Sequence, residues 1–435
     1  MRARFVLFVI VAALLAAPLF AGGGKEAAQA LKGKLTIWST LTQEPRKVAL
    51  EKITQDYQKE HPEVTVEIDV IGWTGAFDKM VAAISAGNPP DLATVGQGWP
   101  QSLAGTGGIV TVDDVIAKIG GPKIFFGTGL SVLGSLDDKA YSIPIYVTPH
   151  IISYRKSWLA EAGKQPFKTW EEMYDVAKAV TNPGKNRYGY TIPFADVHGG
   201  KPVWGFLLAN GVTIFEKDSA GKWKLNVEQP AAVETYEFLH KLIKDTAPQG
   251  AVSYVVTDLR NLVTKNVLLG MYDTPEVLDA IKAAAPDMLA DTGFTFIPAR
   301  KRLGSSQGWV GLVVFQKGNQ AIAKNFSEFM FQGDRLIDYY LSYPAAMFSP
   351  VEAHYKVQRY LDGLPAELKP ILPVAPEILK YSAGISQWNG ANAWAGEIEN
   401  KVILPNALNE MLTKNITAEQ AVKKVADEIR RLMGQ

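Results

Sequence analysis

The sequence predicts an α/β chain of two lobes, each a mostly parallel sheet flanked by helices, and three observations predict it. Between residues 34 and 95 apolar spacing runs strand, helix, strand, helix, strand, the order that builds a parallel sheet. A mature chain of about 410 residues is more than one hydrophobic core organises, which divides it into lobes of roughly 200 residues. In the stretch 140–156, Ile143, Ile145 and Val147 alternate with Pro144, Tyr146 and Thr148, and Ile151 and Ile152 precede Tyr154. Pro144 and Pro149 lack ladder donors, so this stretch fits either a crossing between lobes or an ordinary buried strand pair with a bend.

At the start of the chain, Arg2 and Arg4 precede an apolar run over 5–17, then Pro18, Leu19-Phe20-Ala21 and three glycines. This is the pattern of a secretory signal peptide over residues 1–21, followed by a flexible segment over 22–33. The run is short for a spanning helix, which argues against an uncleaved anchor. The chain has no cysteine; that excludes a lipid-anchored mature N-terminus, disulfides and thiolate metal sites, and fits a free periplasmic protein. Hydrophobic residues at 47% against charged residues at 20% describe a chain that buries large cores. Lys and Arg number 45 and Asp and Glu 44, so no global charge recruits nucleic acid or an anionic membrane.

The first unit opens with a strand at 34–38 that ends in the polar turn 39–44. Pro45 suits the first turn of a following helix, Ala49, Leu50, Ile53 and Tyr57 share its face, and Pro62 stops it. Val64, Val66, Ile68 and Val70 alternate with Thr65, Glu67 and Asp69 as a period-two strand. Phe77, Met80, Val81 and Ile84 return to helical spacing, and Gly87 ends that helix before a third strand at 92–95. Ligands of parallel sheets meet the carboxyl ends of strands, which places 39–44, Trp73 and 97–99 on one rim. Further on, Thr169 and Glu172 form a capping box ahead of Met173, Val176 and Val180, and Thr417 and Gln420 form another ahead of Val422, Val425, Ile429 and Leu432. An apolar strand is predicted over 309–315 and a buried one over 267–272.

The opening Lys34-Leu35-Thr36-Ile37-Trp38-Ser39, the helix stop His61-Pro62-Glu63-Val64 and the turn Ala86-Gly87-Asn88-Pro89-Pro90-Asp91 resemble the extracellular solute-binding proteins of sugar ABC transporters, the maltose-binding-protein-like family. Ile143-Pro144 to Tyr154-Arg155-Lys156, Lys168-Thr169-Trp170-Glu171-Glu172, Tyr188-Gly189-Tyr190, Leu269-Gly270-Met271 and Thr417-Ala418-Glu419-Gln420-Ala421 continue the likeness over nearly the whole mature chain. The resemblance implies a type II periplasmic binding protein with a ligand cleft between lobes, three crossings and discontinuous lobes. Their expected bounds are 34–147 with 312–375 for the N-terminal lobe and 148–311 with 376–435 for the C-terminal lobe.

Enzyme signals are few. Gly304-Ser305-Ser306-Gln307-Gly308 matches G-x-S-x-G, but a nucleophile elbow needs a strand before the serine and a helix after it, and here a basic loop precedes and a strand follows. It reads as a loop. Five histidines show no metal-ligand spacing, and the pairs Asp113-Asp114 and Asp137-Asp138 read as solvated turns. Tyr339-Tyr340 falls in a helix and reads as packing. No catalytic residue, metal site or cofactor is predicted.

Ten tryptophans are a high count, and Trp73, Trp99, Trp204, Trp309, Trp388 and Trp394 fall in or beside loops. Sugar CH faces bury area on such rings while hydroxyls need polar partners; about half of the six are expected in the core instead. Trp38, Trp158 and Trp170 are assigned to packing. By resemblance, ligand contacts come from Ser39, Gln43 and Glu44 after the first strand, Trp73 after the second, and Gln97 and Trp99 after the third. Tyr146 and His150 line the crossing, and Trp204, Asp273, Trp309, Trp388 and Trp394 close the second side. The implied protein is a monomer that takes a carbohydrate to ABC permease subunits, touching no nucleic acid. A secreted glycoside-active enzyme and a sugar sensor for a membrane receptor are the alternatives.

Overall fold

A computed structural model describes residues 31–73, 75–126 and 134–435. The expected leader over 1–21 lies outside the described residues. In chain order the strands are β1 (Gly33–Ser39), β2 (Val64–Val70), β3 (Leu92–Gly96), β4 (Ile143–Pro149), β5 (Ile151–Arg155), β6 (Phe215–Lys217), β7 (Trp223–Leu225), β8 (Tyr272–Asp273), β9 (Thr292–Thr295), β10 (Ser305–Val314) and β11 (Ser382–Ala383).

In the first sheet β1 lies between β2 and β3 and runs parallel to both. Its Leu35 and Ile37 are fully buried, whereas on the edge strand β2 only Val64 is. The alternation in β2 is real, but an edge strand has one flank in water, and its Glu67 and Asp69 keep that flank charged. β10 pairs antiparallel with β3 and with β4 and parallel with β11, so β4 runs with β1–β3 while β10 and β11 oppose them. The helix Glu44–Glu60 buries Leu50, Ile53 and Tyr57 against this sheet and closes with the His61 N–H donating to Tyr57 O at 2.9 Å. The helix Ala76–Ala86 stops at Gly87, whose φ of +76° is the left-handed turn that glycine takes without strain.

The stretch 140–156 is a crossing. β4 belongs to the first sheet and β5 to a second, and His150 alone separates them. Pro144 sits where the β4–β10 register slips: Val310 faces Tyr146 and Gly311 faces Pro144, leaving Ile145 unmatched as a bulge. Pro149 ends the strand. In the second sheet β5 pairs antiparallel with β8 and with β9. No pair in this sheet is parallel, although β8 and β9 run in the same direction on either side of β5. Apolar spacing reports which element follows which; it carries no signal that β5, continuous with β4, is inserted between two strands running the other way.

The predicted helix caps form. Thr169 Oγ1 accepts the Glu172 N–H at 3.1 Å, while the Glu172 carboxylate turns to Lys168 N at 2.6 Å rather than to Thr169. At Thr417 and Gln420 both reciprocal bonds are present, at 2.8 and 3.3 Å. The serine motif is not a loop: β10 begins at Ser305, because Ser305 and Ser306 pair with Ser382 and Ala383 of β11. Strand pairing supplied by residues 77 positions away left no local mark. Tyr339 and Tyr340 are buried in the helix Arg335–Ser342, as packing residues.

Apolar residues gather in separate cores. One, with Leu35, Ile37, Tyr57, Phe326 and Tyr340, lies on one side of the first sheet, and a smaller one around Met80, Val95 and Phe315 on the other. The largest belongs to the second lobe and includes Trp158, Trp170, Trp204, Leu239 and Val425. A further core joins Val147 and Ile151, on either side of the crossing, to Trp309, Phe348 and Leu379. Among the described residues no helix is long and apolar enough to cross a membrane.

Candidate functional site

The carboxyl end of β3 delivers Gln97 and Gly98 to the opposite lobe. Gly98 has φ +83°, and a Cβ there would lie 3.1 Å from the Gly396 backbone nitrogen, so the lobes approach to backbone contact. Beside it, Gln97 is buried, and its amide orientation follows from its neighbours. Its nitrogen donates to Gln307 O at 2.5 Å and its oxygen accepts from Lys201 Nζ at 3.0 Å. Lys201, in the first turn of the helix Gly200–Ala209, is only 7% exposed and reaches Glu399 Oε1 at 2.6 Å. The Gln97–Lys201 bond thus crosses between lobes.

Around this bond lie polar groups without partners. Gln307 Oε1, both amide atoms of Gln387, Ser306 Oγ and His150 Nδ1 are buried and make no hydrogen bond. Backbone contacts hold them together: His150 N–H donates to Ser306 O at 3.2 Å, Gln387 N–H to Gly384 O at 3.0 Å, and Gln307 faces Pro149 across the strands. A Cβ on Gly384 would touch both Gln97 and Gln387. Each buried polar atom without a partner costs about 1–3 kcal/mol, so natural structures keep few, and a cluster of them marks a place built to bind polar groups.

The crossing residue is fixed from below. Ser306 N–H donates to Tyr272 Oη at 2.9 Å, Tyr272 O–H to Ser305 Oγ at 2.8 Å, and Ser305 O–H to His150 O at 2.7 Å, a chain with one consistent direction. The Tyr272 ring stacks on the His150 imidazole at 5.5 Å. Burial, reinforced by the positive charges of Lys201 and Arg260, holds that imidazole neutral, well below the usual histidine range.

A second contact between lobes sits apart from the cluster. Arg46 Nη2 bonds Glu276 Oε1 at 2.7 Å, and its Nη1 donates to Tyr146 Oη at 3.3 Å. Arg260 grips Asp273 with Nε at 2.7 Å and Nη2 at 3.1 Å and lies 3.4 Å from Glu276. Burial opposes the charge of Arg46, and Tyr146 and Glu276 more than offset it, so the guanidinium titrates above its ordinary value.

Of the thirteen residues expected at the ligand, Gln97 and His150 stand in the polar cluster. Trp73 and Trp99 form an edge-to-face pair at 5.5 Å beside it, over the end of β3, with Trp73 at 38% exposure. Ser39 is buried, its Oγ accepting from Leu41 N at 3.2 Å, and Gln43 caps the helix Glu44–Glu60 with its Oε1 buried and without a partner. Glu44 is exposed and paired with Lys47 on the same helix, outside the cluster. Tyr146 and Asp273 serve the arginine contacts. Trp204 is enclosed in the second lobe's core with its indole N–H donated to Ala383 O at 3.0 Å. Trp309 is buried in the core beneath the crossing. Trp388 lies under the Arg302 guanidinium at 4.1 Å, and Trp394 packs on Phe215 at 5.2 Å, just before Gly396. Lys201, Gln307, Gln387, Arg46 and Glu276 escaped the sequence reading. One signal for Lys201 was available: it is the only charged residue between 199 and 215. Among the described residues no three His, Asp or Glu side chains converge as metal ligands do.

A family model described as bacterial extracellular solute-binding protein matches residues 41–332. A protein of Brucella abortus (strain 2308), named as a binding protein, is 26% identical over 291 residues, covering 65% of this chain and 68% of its own. Among solved structures, an ABC transporter solute-binding protein from Thermotoga lettingae TMO bound with α-D-tagatose superposes with a TM-score of 0.74 at 21% identity, over 92% of this chain and 99% of that one. The GacH receptor of Streptomyces glaucescens GLA.O, studied unliganded and with acarbose, gives 0.74 at 19% identity over 93% and 99%. At these identities the two structures share the fold with this chain.

Proposed function

The chain belongs to the bacterial extracellular solute-binding proteins, and on that premise we propose that it captures a sugar or oligosaccharide between its lobes and delivers it to the permease subunits of an ABC importer. The observation that carries this reading is the polar cluster between the lobes, where Gln97 from one side meets Lys201 and Gln387 from the other. Amides and a neutral imidazole with free hydrogen-bonding atoms suit hydroxyl groups, each of which both donates and accepts. The Trp73–Trp99 pair beside them offers ring faces and edges to sugar CH groups. The bound tagatose and acarbose of the two fold neighbours fit the same class.

Further parts of the reading go with it. The protein acts as a monomer, its lobes divide at 147/148, 311/312 and 375/376, and the leader is removed on export to the periplasm. N-terminal sequencing of the exported protein is expected to begin at or near Gly22; intact Met1 in a membrane fraction would replace export with anchoring. Catalysis has no part in this reading.

Native mass spectrometry of protein purified without added sugar tests the function. A mono- or oligosaccharide adduct that survives overnight incubation unchanged is expected. Shortening of a bound oligosaccharide on incubation would establish the hydrolase instead, and a chain that carries no sugar and binds none from a broad panel contradicts the reading.

A further inference from the structure

We propose that Lys201 is a ligand-contacting residue of the cleft and that Glu399 sets its specificity, cancelling its charge so that the site refuses anionic sugars. The inference rests on the sugar-binding reading above and adds to it which residues discriminate. Lysine is rarely buried unless paired, and Lys201 is paired: Nζ bonds Glu399 Oε1 at 2.6 Å within its own lobe and the Gln97 amide oxygen at 3.0 Å across the cleft. An ammonium has three N–H donors, so one remains. It lies in the cluster where Gln307, Gln387, Ser306 and His150 have polar atoms without partners. The cluster itself is otherwise uncharged, since amides, a hydroxyl and a neutral imidazole make it up. Arg260 acts on His150 from outside the cluster, and the Lys201–Glu399 pair is the charge inside it that a ligand meets. With Glu399 ionised, a hydroxyl finds a strong donor and no net charge. A carboxylate or phosphate finds one attraction and one repulsion, and loses its hydration in addition.

The variants Glu399→Gln, Lys201→Met and the double variant test this by calorimetric titration. The probes are neutral hexoses, disaccharides and polyols set against glucuronate, galacturonate and glucose 6-phosphate. Glu399→Gln is expected to shift the anionic-to-neutral affinity ratio toward the anions by at least tenfold. Lys201→Met is expected to weaken neutral sugars at least tenfold and to lower thermal stability, because it leaves Glu399 unpaired. The double variant is expected to recover stability without recovering affinity, which separates ligand contact from folding. A wild type that binds neutral sugars while the Glu399→Gln ratio stays unchanged overturns the specificity role. Full neutral-sugar affinity in the folded double variant overturns ligand contact by Lys201. A wild type that binds no neutral sugar contradicts the functional reading beneath both.

Discussion

At the residue scale, the tryptophans separate into two behaviours that look alike in sequence. Trp204 is wholly enclosed and its N–H is committed to Ala383 O. Trp204→Ala is expected to cost about 3–5 kcal/mol of stability, read as a lower denaturation midpoint. Trp99, half-buried beside Trp73, is expected to behave oppositely: Trp99→Ala keeps the midpoint nearly unchanged and weakens sugar binding at least tenfold, about 1.4 kcal/mol. Loss of stability without loss of affinity at Trp99 would return it to packing. His150 gives a pH test. Its folded pKa is depressed by burial and by Lys201, so the unfolded chain binds more protons below the ordinary value of 6.5. Its contribution is fully present above that pH and is lost as pH falls toward the folded pKa. His240 and His354 are depressed too and add with the same sign; the specific expectation is that His150→Asn loses less stability than wild type between pH 7 and pH 5 in denaturant titrations. Site residues were legible where a rule of architecture reached them, as at Gln97 on the carboxyl end of a strand. Lys201 was not, because the apolar helix around it reads as pure core, and Gln387 depends on contacts with residues far away in sequence.

At the element scale, periodicity placed the strands and helices of the first lobe because each buries one face and local spacing records it. Sheet order and strand direction in the second lobe were not legible, since β5 pairs with β8 and β9 across more than a hundred residues. The helix Trp99–Gly105 and the helix Ala395–Asn400 meet where Gly98 faces Gly396. Gly98→Ala meets the left-handed penalty of about 1–2 kcal/mol and places a Cβ 3.1 Å from the Gly396 nitrogen. Sugar affinity is expected to fall at least fivefold. Gly396→Ala is the control, for its Cβ would lie 3.7 Å from the nearest atom, an ordinary contact, and its affinity is expected to stay within twofold. Equal affinities in the two variants, by titration, would remove the close approach from the account.

At the scale of the whole molecule, the contacts that cross the cleft among the described residues include Gln97 with Lys201, Arg46 with Glu276 and the approach of Gly98 to Gly396. A sugar that touches both lobes adds differential contact to the closed arrangement, and that difference drives closure. If the open form exceeds the closed by about a hundredfold without sugar, reversing that ratio needs roughly 5.5 kcal/mol of differential affinity. Contacts from one lobe alone do not supply it, because they are the same in the open and the closed form. The most direct test of capture between lobes is small-angle scattering of the purified protein before and after saturation with the sugar that native mass spectrometry identifies. A smaller radius of gyration with sugar bound is expected, and an unchanged radius at saturation would contradict capture between the lobes.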